Sequence, residues 1–178
     1  MLKNFKIYTK DLLEIAFPII LGNLGFIMIG VGDVIIAGKH STDTLAAISL
    51  ATAIINCITI MGIGVLGSIS PVLSNYRGAN KEPEKYFYPS LKFTFVLSIL
   101  IRLIIAGFIP FIDKLGFENH LNPLIKDYFF ITAFSVFGGY LHYMSKEFLQ
   151  SFEIVLFPNL LTIFCIFLNL GLNIIFAF

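Results

Sequence analysis

Residues 12–38 read LLEIAFPIILGNLGFIMIGVGDVIIAG, and Glu14 and Asp33 are the only charged side chains in the stretch. Coiled as a helix rising ~1.5 Å per residue, it is about 40 Å long, more than the ~30 Å hydrocarbon layer of a bilayer. The same character returns at 45–74, 87–112, 123–150 and 155–178, broken only by KHSTDT (39–44), NYRGANKEPEK (75–85), DKLGFENHLN (113–122) and SFEI (151–154). Spans this long, joined this tightly, predict an all-α polytopic transmembrane helical bundle of about five spans in up-and-down hairpins. A membrane barrel would need alternating strands of about ten residues, and the chain has none of that pattern.

Composition agrees. The chain is 57% hydrophobic and 13% charged, with a mean hydropathy of +0.89, whereas soluble domains are about 25% charged. There is too little charge to wet a globular surface, so the lipid bilayer is the expected partner. A net charge of +1 gives no clustered basic face for nucleic acid, and none is expected as a partner. The opening MLKNFKIYTK is basic ahead of an apolar stretch, as in a signal peptide. No small-residue cleavage site follows, so it reads as the approach to a retained first span. Cys57 and Cys165 both lie inside apolar runs and read as buried packing residues.

Basic residues suggest an orientation. With the N-terminus inside, Lys3, Lys6, Lys10, Arg77, Lys81, Lys85, Lys92 and Lys146 fall on the cytoplasmic side, against Lys39, Lys114 and Lys126 outside. The closing FLNLGLNIIFAF stops while still apolar, which suggests a piece of something longer. Gly62-x-Gly64-x-x-Gly67, with Glu84 following, matches a dinucleotide-binding pattern in letters. That chemistry needs a strand before the loop and free amides at a helix start. Here the glycines sit inside an apolar helix, where they and the glycines of the first span let backbones approach closely.

Charged groups inside hydrocarbon are costly and mark interior cavities or ion paths. Asp33 lies about 30 Å into its span, in the outer half; capping the helix end near Gly38 is the bland alternative. Asn169 and Asn173 are spaced i, i+4 on one face of the last span, ~17 and ~23 Å from its start near Pro158. A carboxylate with two carboxamide oxygens at similar depth can hold Na⁺, or a proton on the carboxyl. Helix–helix hydrogen bonding is the plainer use of the asparagines. Arg102, in the third span, either snorkels towards headgroups or serves as a buried charge partner for a carboxylate such as Asp33. Lys146, Glu147 and Glu153 read as a solvated interfacial face, with His142 interfacial as well. Pro18 removes a backbone hydrogen bond and predisposes the first span to bend. No pairing of residues at usable spacing suggests a catalytic site or a metal site beyond Na⁺, and no cofactor is implied.

Taken together, FPIILGNLGFIMIGVGDVIIAGKHSTDTLAAISLA, GVLGSISPVLSNYRGANKE and EFLQSFEIVLFPNLLTIFCIFLNLGLNIIF resemble the N-terminal lobe of the multidrug and toxic compound extrusion (MATE) transporters. The resemblance implies a fold of twelve spans in two six-helix lobes around a central cavity. Residues 1–178 would then be most of the first lobe, with the C-terminal lobe missing. It implies a secondary antiporter of a bacterial inner membrane that exports small cationic or amphipathic compounds in exchange for H⁺ or Na⁺. It assigns cation coupling to Asp33, Tyr128, Asn169 and Asn173, and a hinge to Pro18. Asn173 stands where some branches carry a second aspartate, which leaves H⁺ or Na⁺ open. A lipid-linked precursor flippase of related architecture is the alternative and would call for basic residues in the cavity, where only Arg102 qualifies. An intramembrane enzyme is a remote third.

Overall fold

The computed structural model describes residues 2–177, and the side chains of residues 8–10, 12–25 and 27–175. The Lys3 and Lys6 side chains used for orientation, and the Phe178 end of the fifth predicted span, lie outside the described residues. Six helices follow one another: α1 Leu2–His40, α2 Thr42–Leu66, α3 Ile69–Gly78, α4 Phe87–Phe108, α5 Asn122–Gln150 and α6 Leu156–Ala177. Short 3₁₀ turns, Pro83–Tyr86 and Ile109–Lys114, flank α4.

Local chemistry sets the boundaries. Ser41, with extended backbone, separates α1 from α2 and caps α2 by accepting a hydrogen bond from the Thr44 amide at 3.0 Å. Such a cap satisfies one of the orphan donors at a helix start. The predicted second span breaks at Gly67–Ser68 into α2 and α3. There the Gly67 amide still bonds Ile63 O at 2.8 Å, and the Ser68 hydroxyl turns back onto Val65 O at 2.7 Å. Gly62 and Gly64 lie within α2, with no strand before them. The turn between α5 and α6 passes through Glu153 at φ +63°, a left-handed conformation uncommon for a residue with a Cβ. Arg77 holds this turn, ion-paired to Glu153 and donating to Ser151 O at 3.1 Å.

Helical stretches of 33, 37, 32 and 20 residues, at Tyr8–His40, Thr42–Gly78, Pro83–Lys114 and Leu156–Ile175, are long and apolar enough to cross a membrane. α5 is more polar but has 29 residues, about 44 Å at 1.5 Å per residue. It runs antiparallel along all of α4: Phe87 meets Phe148 edge-on at one end and Phe108 stacks on Phe129 at the other. It therefore traverses the same thickness. α5 can be polar because it is the interior helix, packed against α2, α3, α4 and α6. Ile125, Phe129, Ala133, Val136, Tyr140 and Met144 are buried along it, at the 3-and-4 spacing of a single helix face.

α1 forms a second unit with α6, and their backbones approach closely through glycine. A Cβ on Gly22 would sit 2.0 Å from Asn159 Oδ1, and one on Gly25 would sit 2.1 Å from Ile166 Cδ1. Three sequence expectations are corrected here. Cys57 and Cys165 are exposed free thiols on the outer surface, because the apolar runs that contain them turn those positions away from neighbouring helices. Lys146 is buried, only 2% exposed, because it sits where α5 faces α1 and donates to Asn23 Oδ1 at 3.1 Å. His142 is likewise turned inward, 3.2 Å from the Thr162 hydroxyl on α6.

Candidate functional site

Because α1 and α6 run parallel in close contact, residues at matching heights meet. Asn173 Nδ2 donates to Asp33 Oδ1 at 2.5 Å and to Asn169 Oδ1 at 3.1 Å. One carboxamide thus ties the carboxylate to the second carboxamide a helical turn away. All three side chains line a cavity of about 520 Å³ between the α1/α6 pair and the body made by α2 and α5. α5 contributes Tyr128 and Thr132, and α2 contributes Thr44 and Ile48. The Tyr128 hydroxyl accepts from Thr52 Oγ1 at 3.3 Å, which fixes the ring against α2. At the rim, His40 Nδ1 lies 3.2 Å from Thr44 Oγ1.

Every sequence-derived coupling residue thus lines this one cavity. His40, Thr44 and Thr132 belong to it too and were missed. Helical spacing from the known positions would have found two of them: His40 is seven residues after Asp33, and Thr132 is four after Tyr128, so each shares its anchor's face. Thr44, on the neighbouring helix, carried no such signal.

The other two candidates lie elsewhere. Pro18 sits fifteen residues before Asp33, and α1 continues through it as one helix. Its ring nitrogen has no hydrogen to donate to the Glu14 carbonyl, so this turn is the least restrained of α1. Arg102 is not a buried charge partner. It is exposed on the outer face of α4, its guanidinium 4.1 Å from the centroid of the Phe134 ring. Its helix position turns it away from the α1/α6 side, and the aromatic face takes the place of a carboxylate.

A carboxylate, two carboxamides, a phenol and threonine hydroxyls offer hard oxygen donors, which suit a proton or a monovalent cation. Among the described residues no cluster of three or more His, Cys, Asp or Glu side chains converges.

The fold and this pocket define a polytopic helical membrane protein with a polar, acid-bearing chamber inside its bundle. The chain belongs to the MatE family, whose model matches residues 18–175. It is 22% identical to the probable multidrug resistance protein NorM of Bacillus subtilis, over 99% of this chain and 40% of the relative. It is 22% identical to the multidrug resistance protein NorM of Photobacterium profundum over 98% of this chain and 39% of that protein. The multidrug resistance protein MdtK of Edwardsiella ictaluri is 30% identical over 67% of this chain and 26% of its own length. The chain therefore spans about two fifths, or less, of the curated relatives it matches. No solved structure gives a significant match.

Proposed function

We propose that this chain forms the N-terminal lobe of a secondary antiporter that expels cationic or amphipathic compounds in exchange for H⁺ or Na⁺. The observation that carries the reading is the contact of Asp33 with Asn173 and, through it, Asn169 inside a shared cavity. An acid held within an apolar bundle is an expensive feature that ion pathways require and lipid-facing helices lack.

The donors work as follows. With the chamber free of cation, the Asn173 amide donates to Asp33 and keeps the carboxylate turned inward. Rotating that amide by half a turn presents Asn173 Oδ1 instead, so Asp33, Asn169 and Asn173 face a cation with three oxygens. When the ion is a proton, Asp33 binds it directly and its single O–H donates to the rotated Asn173 Oδ1. Either change rearranges the contact that joins α1 to α6, and Pro18 supplies the bend by which α1 responds. Tyr128 and Thr132 form the wall on the α5 side. The homologues' names support multidrug export as the purpose, and their extra length supports a second lobe as the other half of the cavity. The basic residues support a cytoplasmic N-terminus, and a bacterial inner membrane is part of the same proposal. Arg102, the one basic residue the sequence offered the flippase reading, faces outward.

The test joins the chain to its C-terminal lobe in an efflux-deficient host and follows ethidium export driven by a H⁺ or Na⁺ gradient. Asp33→Asn abolishes coupled export at unchanged membrane insertion. Export at the parental rate in that variant refutes the role of Asp33.

A further inference from the structure

A second polar layer lies nearer the N-terminal end of α1, and the coupling pocket does not use it. Asn23 precedes Asp33 by ten residues on α1, and Thr162 precedes Asn173 by eleven on α6, which places both about 15 Å away along their helices. From α5, Lys146 donates to Asn23 Oδ1 at 3.1 Å and His142 meets Thr162 Oγ1 at 3.2 Å. Glu147 offers Lys146 an adjacent counter-charge. Between the two layers, Ile166 of α6 packs on Gly25 of α1.

These bonds lie where the fold is otherwise thinly joined. α1 packs on α6 and, near their shared turn, on α2, whereas α5 packs on α2 and α4 and meets α6 only sparsely. The seam between the two units is open at the Asp33 end, as the cavity of about 520 Å³, and bridged at the other end by the layer that holds Lys146. We propose that Lys146 with Asn23, and His142 with Thr162, form a closure that fastens the α1/α6 pair to α5 and seals the seam on the N-terminal side of the Asp33 pocket. A lysine only 2% exposed inside an apolar bundle is a costly residue to keep for packing alone.

The functional meaning of the closure rests on Asp33 being the ion site, but its test does not. In a Cys57→Ser, Cys165→Ser background, Ile166→Cys reports on the seam between the layers. Inside-out vesicles are treated with a membrane-impermeant, charged maleimide, so the reagent arrives from the N-terminal side. Labelling is slow with Lys146 and Asn23 intact and rises several-fold in Lys146→Met and in Asn23→Ala. The double variant rises no further than Lys146→Met alone, because that change already removes the bond to Asn23. Lys146→Arg, which keeps a donor, stays slow. Detergent elution profiles establish folding; should Lys146→Met fail to fold, Asn23→Ala, an exposed side chain, decides alone. Fast labelling of the parent, or a parental rate in folded Asn23→Ala, overturns the closure. Labelling is read without an ion gradient, whereas the ion reading fails only through parental export in Asp33→Asn, so the two failures are recognised separately.

Discussion

The close approach of α1 and α6 makes a prediction in which two neighbouring glycines respond differently. At Gly25, an added Cβ falls 2.1 Å from Ile166 Cδ1 but 3.5 Å from Cγ1, an ordinary contact distance. Only the mobile end of one side chain has to move. At Gly22, the added Cβ meets Asn159 Oδ1 at 2.0 Å, Cγ at 2.9 Å and Cβ at 3.3 Å. That side chain is buried and anchored by its own bond to Val155 O, so relief requires the helices to separate. Overpacking typically costs about 1–3 kcal/mol. Gly25→Ala belongs at the low end, about 1 kcal/mol, and Gly22→Ala at about 3 kcal/mol or beyond. For a chain of this size the melting temperature falls roughly 2–4 °C per kcal/mol. Gly25→Ala then loses a few degrees and Gly22→Ala about 10 °C, as measured by circular dichroism in detergent. Adding Ile166→Val, which deletes Cδ1, restores Gly25→Ala towards the parent and does nothing for Gly22→Ala. Equal melting temperatures for the two alanine variants, or no rescue by Ile166→Val, would refute the glycine-mediated contact.

Three further outcomes follow from individual contacts. Tyr140→Phe removes the 2.8 Å hydrogen bond from the tyrosine hydroxyl to Thr59 O and lowers stability by about 1 kcal/mol; a melting curve unchanged within error contradicts the assignment. Arg102→Leu removes only an outward-facing stack on Phe134, so ethidium export by the joined lobes stays at the parental rate. Loss of export would return Arg102 to the ion path. Cys57 and Cys165, exposed on an apolar surface, accept Leu with an unchanged melting temperature, and a loss of several degrees in both variants would mean that they are packed inside.

The helices were legible in the sequence, because within a bilayer each span must satisfy its own backbone and so announces itself as a long apolar run. The break at Gly67–Ser68 was not legible, since a glycine and a serine inside such a run look the same whether the helix continues or pauses. The pairing of Asn169 with Asn173 on one face followed from their spacing alone.

Which way each face points was decided only in three dimensions. In water an apolar stripe identifies the buried side of a helix, but lipid is as apolar as the helix interface, so the stripe no longer separates inside from outside. For that reason Arg102, read as a snorkelling or buried charge, and Lys146, read as part of a solvated interfacial face, could not be sorted by sequence. Arg102 turns outward onto Phe134 and Lys146 inward onto Asn23. The meeting of Asp33 with Asn173 was likewise open until α1 and α6 packed in parallel. The glycines of α1 that permit that packing were visible in the sequence, while the partner they admit is a property of the fold.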